Sequence, residues 1–197
     1  MGETGSKKIS YILAITGASG AIYAKTLIEY FHKEGLPLEC LISKVGEEVW
    51  KWEMGRPISE MLPPEIVLFA EDDWWAPIAS GSVKAKAMVV MPCSMGTLAA
   101  TAQGLAHNII HRTADVMLKE NRPLILVPRE TPFNTIHLEN MLRLTRAGAT
   151  ILPAMPGFYH RPKTVQDMVN FVVARVLDHL GLAHTLVKPW NEIIKNA

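Results

Sequence analysis

Short apolar runs alternate with amphipathic stretches along almost the whole chain. The first run, 9–16, is nearly continuous in apolar side chains and is followed at once by Gly17. The next stretch repeats apolar residues at helical spacing and ends at Gly35. Because a strand that is buried on both faces has a continuous apolar sequence, this alternation predicts an α/β fold with a doubly wound parallel sheet between two layers of helices.

The same pattern predicts the later elements and a single folded unit. A length of 197 residues fits one domain, for which we expect residues 9–181, with a short arm at 1–8 and a tail at 182–197 that packs on a neighbouring subunit. The segment 57–77 is expected to be irregular. Predicted strands lie at 9–16, 38–42, 87–91, 123–127 and 150–152. The first predicted helix ends at 35 and the second begins at 45. Further helices are predicted at 94–103, 108–119, 134–147 and 165–180.

Composition excludes several classes of protein. Apolar residues make up 49% of the chain, which excludes a disordered protein. The 20 basic and 19 acidic residues give a net charge of +1, so the basic patch that nucleic-acid binding needs is not expected. No apolar run approaches the roughly 18 residues of a membrane span, and the polar start predicts no secretory signal. Cys40 and Cys93 form no CxxC pair, which indicates a reducing, cytoplasmic location.

The first strand ends in a turn suited to an anion. The glycines of Gly17-Ala18-Ser19-Gly20 allow a sharp turn, and the start of the next helix offers free N–H groups at the edge where such sheets bind ligands. The segment departs from GxGxxG and no acid stands at the ribose-binding position, so it favours a mononucleotide such as FMN over NAD. A tight turn that binds nothing is the alternative.

Later strand ends carry polar side chains of the same kind. Cys93-Ser94-Met95-Gly96-Thr97 begins a helix with two hydroxyls, which suits either anion binding or ordinary capping. Arg129 and Glu130 can bind a phosphate and transfer a proton, or they can form a surface ion pair. Tyr159 and Arg175 are further candidates, although a lone arginine on a helix often only extends into solvent.

Other signals are weak. His107 and His111 have the spacing of a helical zinc site, but Asn108 replaces the glutamate that such a motif requires, so no metal is expected. Cys93 has no base placed near it by the sequence, and a GxSxG elbow is missing. Trp74, Trp75 and Trp190 suit either a pocket that stabilises a cation or ordinary packing.

Taken together, these motifs resemble those of the flavin prenyltransferases (the UbiX type), within the flavoprotein superfamily of homo-oligomeric, decarboxylase-like flavin proteins. The resemblance spans about residues 9–190. It is carried by 15–20 (ITGASG), 42–44 (ISK), 78–82 (IASGS), 92–98 (PCSMGTL), 114–116 (ADV), 118–120 (LKE), 128–132 (PRETP), 136–142 (IHLENML) and 152–160 (LPAMPGFYH).

This resemblance implies a fold, a reaction and partners. The fold is a three-layer, Rossmann-like (flavodoxin-like) single domain, and the protein is a homo-oligomer, expected as a dodecamer. The reaction joins the dimethylallyl group of dimethylallyl phosphate to N5 and C6 of reduced FMN without a metal. The product, prenylated FMN, serves a decarboxylase of the UbiD type.

The resemblance also implies the site. FMN would contact eight of these strand-end residues and Ser43, namely Gly17, Ala18, Ser19, Ser43, Ser94, Met95, Gly96, Thr97 and Arg129. The prenyl phosphate would contact Arg112, Lys119, Tyr159 and Arg175. Ser19 and Glu130 would move protons, and Trp74 would face the allyl cation. Trp190 matches the family's C-terminal tryptophan and is a further catalytic candidate. Glu53 is the acid expected near the second helix, with Glu48 as a second choice.

Three alternatives stay open at this point. An FMN-dependent cysteine decarboxylase would share the fold, but its catalytic His and its PASANT-like motif are missing, and 92–97 has PCSMGT in that place. A non-catalytic flavin carrier would not need the second anion site around Lys119, Tyr159 and Arg175. An NAD(P) oxidoreductase would require GxGxxG.

Overall fold

A computed structural model describes residues 10–195, with side chains described to residue 192, so the predicted arm at 1–8 lies outside the described residues. Six strands form one sheet in the order β3-β2-β1-β4-β5-β6, and every pair is parallel. The strands are β1 Tyr11–Ile15, β2 Leu38–Ile42, β3 Val67–Ala70, β4 Met88–Cys93, β5 Leu124–Pro128 and β6 Thr150–Ile151. This is the Rossmann-type order, so the doubly wound sheet is confirmed.

Within residues 10–195, seven α-helices accompany the strands. They are α1 Ala21–Lys33, α2 Lys44–Met54, α3 Met95–Ala102, α4 Ile109–Lys119, α5 Thr135–Arg146, α6 Val165–His179 and α7 Trp190–Lys195. Local sequence sets most of their ends. Ser43, Ser94, Asn108, Asn134 and Thr164 each cap a helix with a side-chain oxygen that accepts a backbone N–H, as short polar residues at this position do.

Successive side chains of the strands point alternately into two hydrophobic cores, one on each face of the sheet. Leu13 and Ile15 of β1 pack with the helices α1, α2 and α6, whereas Ile12 and Ala14 pack with α3, α4 and α5. All four side chains are at most 1% exposed. The sheet therefore forms the middle of three layers, and its carboxyl edge is left as the place where loops can bind a ligand.

Three segments differ from the sequence-based expectation. The segment 57–77 contains the edge strand β3, whose four side chains are only half buried and therefore give no apolar run as strong as those of the inner strands. β4 does not stop at Pro92, because the strand bulges there and pairs again at Cys93 with Pro128. The tail after α6 contains the short helix α7, which no pattern in the sequence predicted.

None of the helices within residues 10–195 combines the length and the apolar character that crossing a membrane requires.

Candidate functional site

Three helices begin side by side at the carboxyl edge of the neighbouring strands β2, β1 and β4. Their first residues are Lys44, Ala21 and Met95. The strand order reverses between β1 and β4, which is where open α/β sheets form their ligand crevice. Each helix start carries N–H groups without an acceptor inside the helix, so this edge attracts an anion.

The start of α1 is already occupied by an acid of the same chain. The Glu53 carboxylate, from α2, accepts hydrogen bonds from the N–H of Gly20 at 3.0 and 3.1 Å and from the N–H of Ala21 at 2.8 Å. A second anion at these two donors would meet this charge. The turn 17–20 can therefore line a ligand, whereas the donors for a phosphate lie at the neighbouring helix starts.

The start of α3 is open. The Ser94 hydroxyl accepts the N–H of Thr97 at 3.3 Å, which leaves the N–H groups of Met95 and Gly96 as first-turn donors without a helical acceptor. Gly96 is exposed, and a Cβ added there would meet no atom within 4 Å. A ligand can therefore approach the backbone closely at this point. At α2, the Ser43 hydroxyl accepts the N–H of Gly46 at 3.0 Å.

Thr16 joins the two loops that form the crevice. Its hydroxyl donates to the Pro92 carbonyl at 2.8 Å and accepts the N–H of Ser94 at 2.7 Å. The next residue, Gly17, packs so closely on Val45 that a Cβ on Gly17 would lie 2.5 Å from Val45 Cγ1. The loops after β1 and β4 and the start of α2 are thus held as one unit.

Arg129 and Glu130 follow β5 at the same edge. The Arg129 Nε donates to the Ser19 carbonyl at 3.3 Å, so the arginine reaches across β4 to the turn after β1. Burial raises the pKa of the nearby Tyr23 phenol, and the positive charge of Arg129 opposes this shift. The Glu130 carboxylate accepts the N–H of Thr131 at 2.9 Å. The crevice therefore has a fixed cation and an acid on its far side.

Tyr159, Arg175 and Trp190 form a second group beside α6. They line a cavity of about 310 Å³, and the Trp190 ring stands edge-on to Tyr159 with 5.0 Å between centroids. Phe171 supports Tyr159 from the other side at 5.6 Å, and a Cβ on Gly157 would lie 2.9 Å from Phe171 Cζ. A cation, a phenol and an indole thus share one cavity that suits a phosphate joined to an apolar group.

The two remaining cationic candidates lie on α4. Arg112 donates to the Ala79 carbonyl at 3.3 Å and to the Asp115 carboxylate at 3.0 Å. Lys119 ends the helix just before β5 begins, and its ammonium lies 2.5 Å from Glu120, whose pKa it lowers by hydrogen bonding. Because Lys119 precedes the amino end of β5, it lies across the sheet from Arg129. Its helix α4 also packs on the opposite face of the sheet from α6, so one chain alone does not bring Lys119 to Arg175.

Trp74 lies near the rim of the carboxyl edge. It is 46% exposed on the loop after β3, and this loop is tied to the start of α2 by the ion pair of Asp72 with Lys44 at 3.2 Å. Its indole is thus available to a ligand or to another subunit.

The weaker candidates gain no support from their surroundings. Cys93 is fully buried, and burial raises the pKa of its thiol to about 12, so it is no nucleophile at neutral pH. His107 and His111 pack edge to face with 6.2 Å between ring centroids. Within the described part of the chain, no group of three or more His, Cys, Asp or Glu residues is arranged to hold a metal ion.

Sequence reasoning gave no individual role to four residues that shape these sites, namely Thr16, Tyr23, Asp178 and His184. Thr16 was noted only as the end of the first predicted strand, and Tyr23 only as part of the apolar helix pattern that ends at Gly35, so their polar contacts were not predicted. Asp178 and His184 meet across the turn after α6, with 3.0 Å between Oδ1 and Nε2. A polar residue inside a buried strand end, as at Thr16, is the one signal that could have been followed.

Comparisons with known proteins agree on one family. A family profile described as Flavoprotein matches residues 2–177. A flavin prenyltransferase UbiX of Halalkalibacterium halodurans is 48% identical over 192 residues, which cover 92% of this chain and 93% of that protein.

Two solved structures have the same fold. A crystal structure of AnUbiX in complex with FMN and dimethylallyl pyrophosphate superimposes with a TM-score of 0.89 at 38% identity, covering 94% of this chain and 98% of that one. A dodecameric FMN-dependent UbiX-like decarboxylase from Escherichia coli gives 0.85 at 40% identity, covering 92% of this chain and 99% of that one.

Proposed function

This chain belongs to the Flavoprotein family and within it to the flavin prenyltransferases of the UbiX type, and we propose that it transfers a dimethylallyl group from dimethylallyl phosphate to N5 and C6 of reduced FMN. One observation supports this reaction above all. The chain has two separate places for an anion, the helix starts at the β1–β4 crevice and the cavity of Tyr159 and Arg175. A reaction between a flavin phosphate and a prenyl phosphate requires two such places.

The residues at the crevice fit FMN. The exposed Gly96 and the free N–H groups that begin α3 suit its phosphate, and the close packing of Gly17 on Val45 gives a flat backbone surface for a ring system. Arg129 closes this surface from β5 through its bond to Ser19. Bound here, reduced FMN supplies the nucleophilic N5 and C6 atoms, and the polypeptide has to orient the prenyl donor towards them.

The second group of residues assists departure of the phosphate. When the allylic C–O bond breaks, the electron pair leaves with the phosphate, and the Arg175 guanidinium and the Tyr159 hydroxyl stabilise the added charge. The aromatic faces of Trp190 and Trp74 stabilise the positive charge on the allyl group. These groups perform the task that a metal ion performs in other prenyl transfers.

A neighbouring copy of the chain completes the phosphate site. Lys119 lies across the sheet from the crevice in its own subunit, and it reaches a prenyl phosphate only if it is supplied by another subunit. Arg112 lies on the same helix and accompanies it. We therefore assign a homo-oligomer, expected as a dodecamer, in which subunit contacts form the site. At Ala183 and His184 the tail contacts its own α1 and α6, and its contact with a neighbouring subunit stays a prediction.

Proton transfer falls to groups at the crevice. Glu130 lies beside Arg129, where it can exchange a proton with the departing phosphate or with C6, and the exposed Ser19 can relay a proton near N5. Glu53 accepts hydrogen bonds from Gly20 and Ala21, which places its carboxyl group at the wall of the crevice.

The test uses the purified protein under anaerobic conditions. Reduced FMN and dimethylallyl phosphate are added, and the mass of the extracted flavin is measured. We expect a gain of one five-carbon unit in the native protein, a slower gain in Glu130→Gln, and in Arg175→Gln a higher requirement for dimethylallyl phosphate at unchanged FMN affinity. A flavin that binds but gains no mass would refute the reaction and leave a flavin carrier. Transfer of the product to a UbiD-type decarboxylase and a cytoplasmic location stay predictions.

A further inference from the structure

The tail after α6 returns along the same helix to the prenyl-phosphate cavity. It is fixed near its start by the Tyr30 hydroxyl, which donates to the Ala183 carbonyl at 2.7 Å. It reaches the cavity at the start of α7, where the Trp190 ring lies against Tyr159. Between these points, Leu186 packs on the apolar core. The position of Trp190 therefore depends on how this returning segment is held to α6.

Asp178 connects this segment to the phosphate-binding arginine. One carboxylate oxygen, Oδ2, accepts the Arg175 Nη1 at 2.6 Å, and the other, Oδ1, lies 3.0 Å from the His184 Nε2. Arg175 and Asp178 are one turn apart on α6, whereas His184 belongs to the returning tail. A single carboxylate thus sets the direction of the guanidinium and the place of the tail.

The contact with Asp178 is the main polar contact of the His184 side chain. Its side chain is 10% exposed, and its Nδ1 is buried with no hydrogen-bond partner within the described part of the chain. A carboxylate oxygen accepts hydrogen bonds, so the His184 ring serves as the donor in this contact through Nε2–H. Asp178 is therefore the partner on which the buried imidazole depends, and removing it leaves a buried N–H without an acceptor.

We propose that Asp178 and His184 are positioning residues for the prenyl donor, which couple the direction of Arg175 to closure of the tail that carries Trp190. This inference rests on the proposed function, because it assigns the cavity of Tyr159 and Arg175 to the prenyl phosphate. Neither residue takes part in bond making. Their effect is to present the guanidinium and the indole to the donor in one arrangement.

The experiment combines a measurement on the tail with a measurement on the site. In Asp178→Asn and His184→Leu, amide hydrogen exchange of residues 182–190 should rise, and the dissociation constant of dimethylallyl phosphate for the protein loaded with oxidised FMN should rise by roughly tenfold. In turnover, KM should rise with a smaller change of kcat, and FMN affinity should stay unchanged. His184→Gln, which can keep a donor towards Asp178, should restore most of the affinity.

The pair of His32 with Glu65 is the matched control. It is a second histidine–carboxylate contact, but it is exposed and lies away from the cavity. Glu65→Gln should change neither tail exchange nor donor affinity. The proposal is overturned if Asp178→Asn leaves both quantities unchanged, or if tail exchange rises while donor affinity does not. Because the binding titration uses oxidised FMN, failure of prenyl transfer in the native protein would refute the proposed function without deciding this inference.

Discussion

Thr16 offers a direct test of how the two loops of the crevice are joined. Its side chain is 1% exposed, and its hydroxyl both donates to Pro92 and accepts from the Ser94 N–H. Replacement by valine preserves the shape of the side chain and removes both hydrogen bonds. The Pro92 carbonyl keeps the bond from the Thr16 N–H at 3.2 Å, so the main loss falls on the Ser94 N–H.

The size of the effect follows from these contacts. A hydrogen bond contributes about 0.5–1.5 kcal/mol net, and a buried donor left without an acceptor costs about 1–3 kcal/mol. We therefore expect Thr16→Val to lower the free energy of unfolding by about 2–3 kcal/mol. For a chain of this length, each kcal/mol corresponds to about 2–4 °C, so Tm should fall by roughly 4–12 °C.

The assay is thermal unfolding at a fixed protomer concentration, because Tm of an oligomer depends on concentration. FMN affinity, measured by quenching of flavin fluorescence, should weaken in parallel since the start of α3 loses its anchor. Thr16→Ser is the control, because it keeps the hydroxyl and loses only a methyl group. A valine variant that unfolds at the temperature of the native protein, with the serine variant below it, would show that Thr16 acts through packing and not through its two hydrogen bonds.

Three further outcomes can be measured in the same way. Glu53→Gln keeps one acceptor for the start of α1 and should cost about 0.5–1 kcal/mol, whereas Glu53→Ala should cost about 1–2 kcal/mol; equal Tm values for both would contradict the capping role. Gly17→Ala should destabilise by about 1–3 kcal/mol because its Cβ meets Val45, and adding Val45→Ala should restore part of the loss in unfolding experiments. Burial, followed by the nearby His107, lowers the pKa of His111, so the unfolded chain binds the proton more readily and stability should rise with pH up to about 6.5. His111→Gln should flatten this rise in Tm, and an unchanged slope would contradict it.

Most of the sheet could be predicted because its inner strands are buried on both faces. Such strands need side chains that are apolar without interruption, and β2 was predicted with the bounds that the structure has, Leu38–Ile42. The edge strand β3 is covered on one side by β2 and half exposed on the other, so its sequence carries a weaker signal. The bulge at Pro92 was missed because pairing after a proline depends on the neighbouring strand and not on the local sequence.

The crevice could be predicted to the extent that its chemistry is local. Helix caps such as Ser43 and Ser94 act within three residues of themselves, and the sequence shows them directly. Glu53 was reached only through the resemblance, and its bonds to Gly20 and Ala21 span more than thirty residues. The contact of His184 with Asp178 depends on a chain reversal that no periodicity predicts.

The distribution of charge explains how a chain with a net charge of +1 can bind two phosphates. The cations assigned to the prenyl phosphate are each paired with an acid close by in sequence: Arg112 with Asp115, Lys119 with Glu120, and Arg175 with Asp178. These pairs are partly exposed, so solvent screens them and they contribute little to stability. An arginine also has five N–H donors, and one carboxylate leaves several of them free for a phosphate. The acids therefore keep the net charge near zero and fix the orientation of the cationic side chains. The cations still have free N–H donors with which to bind an anionic substrate.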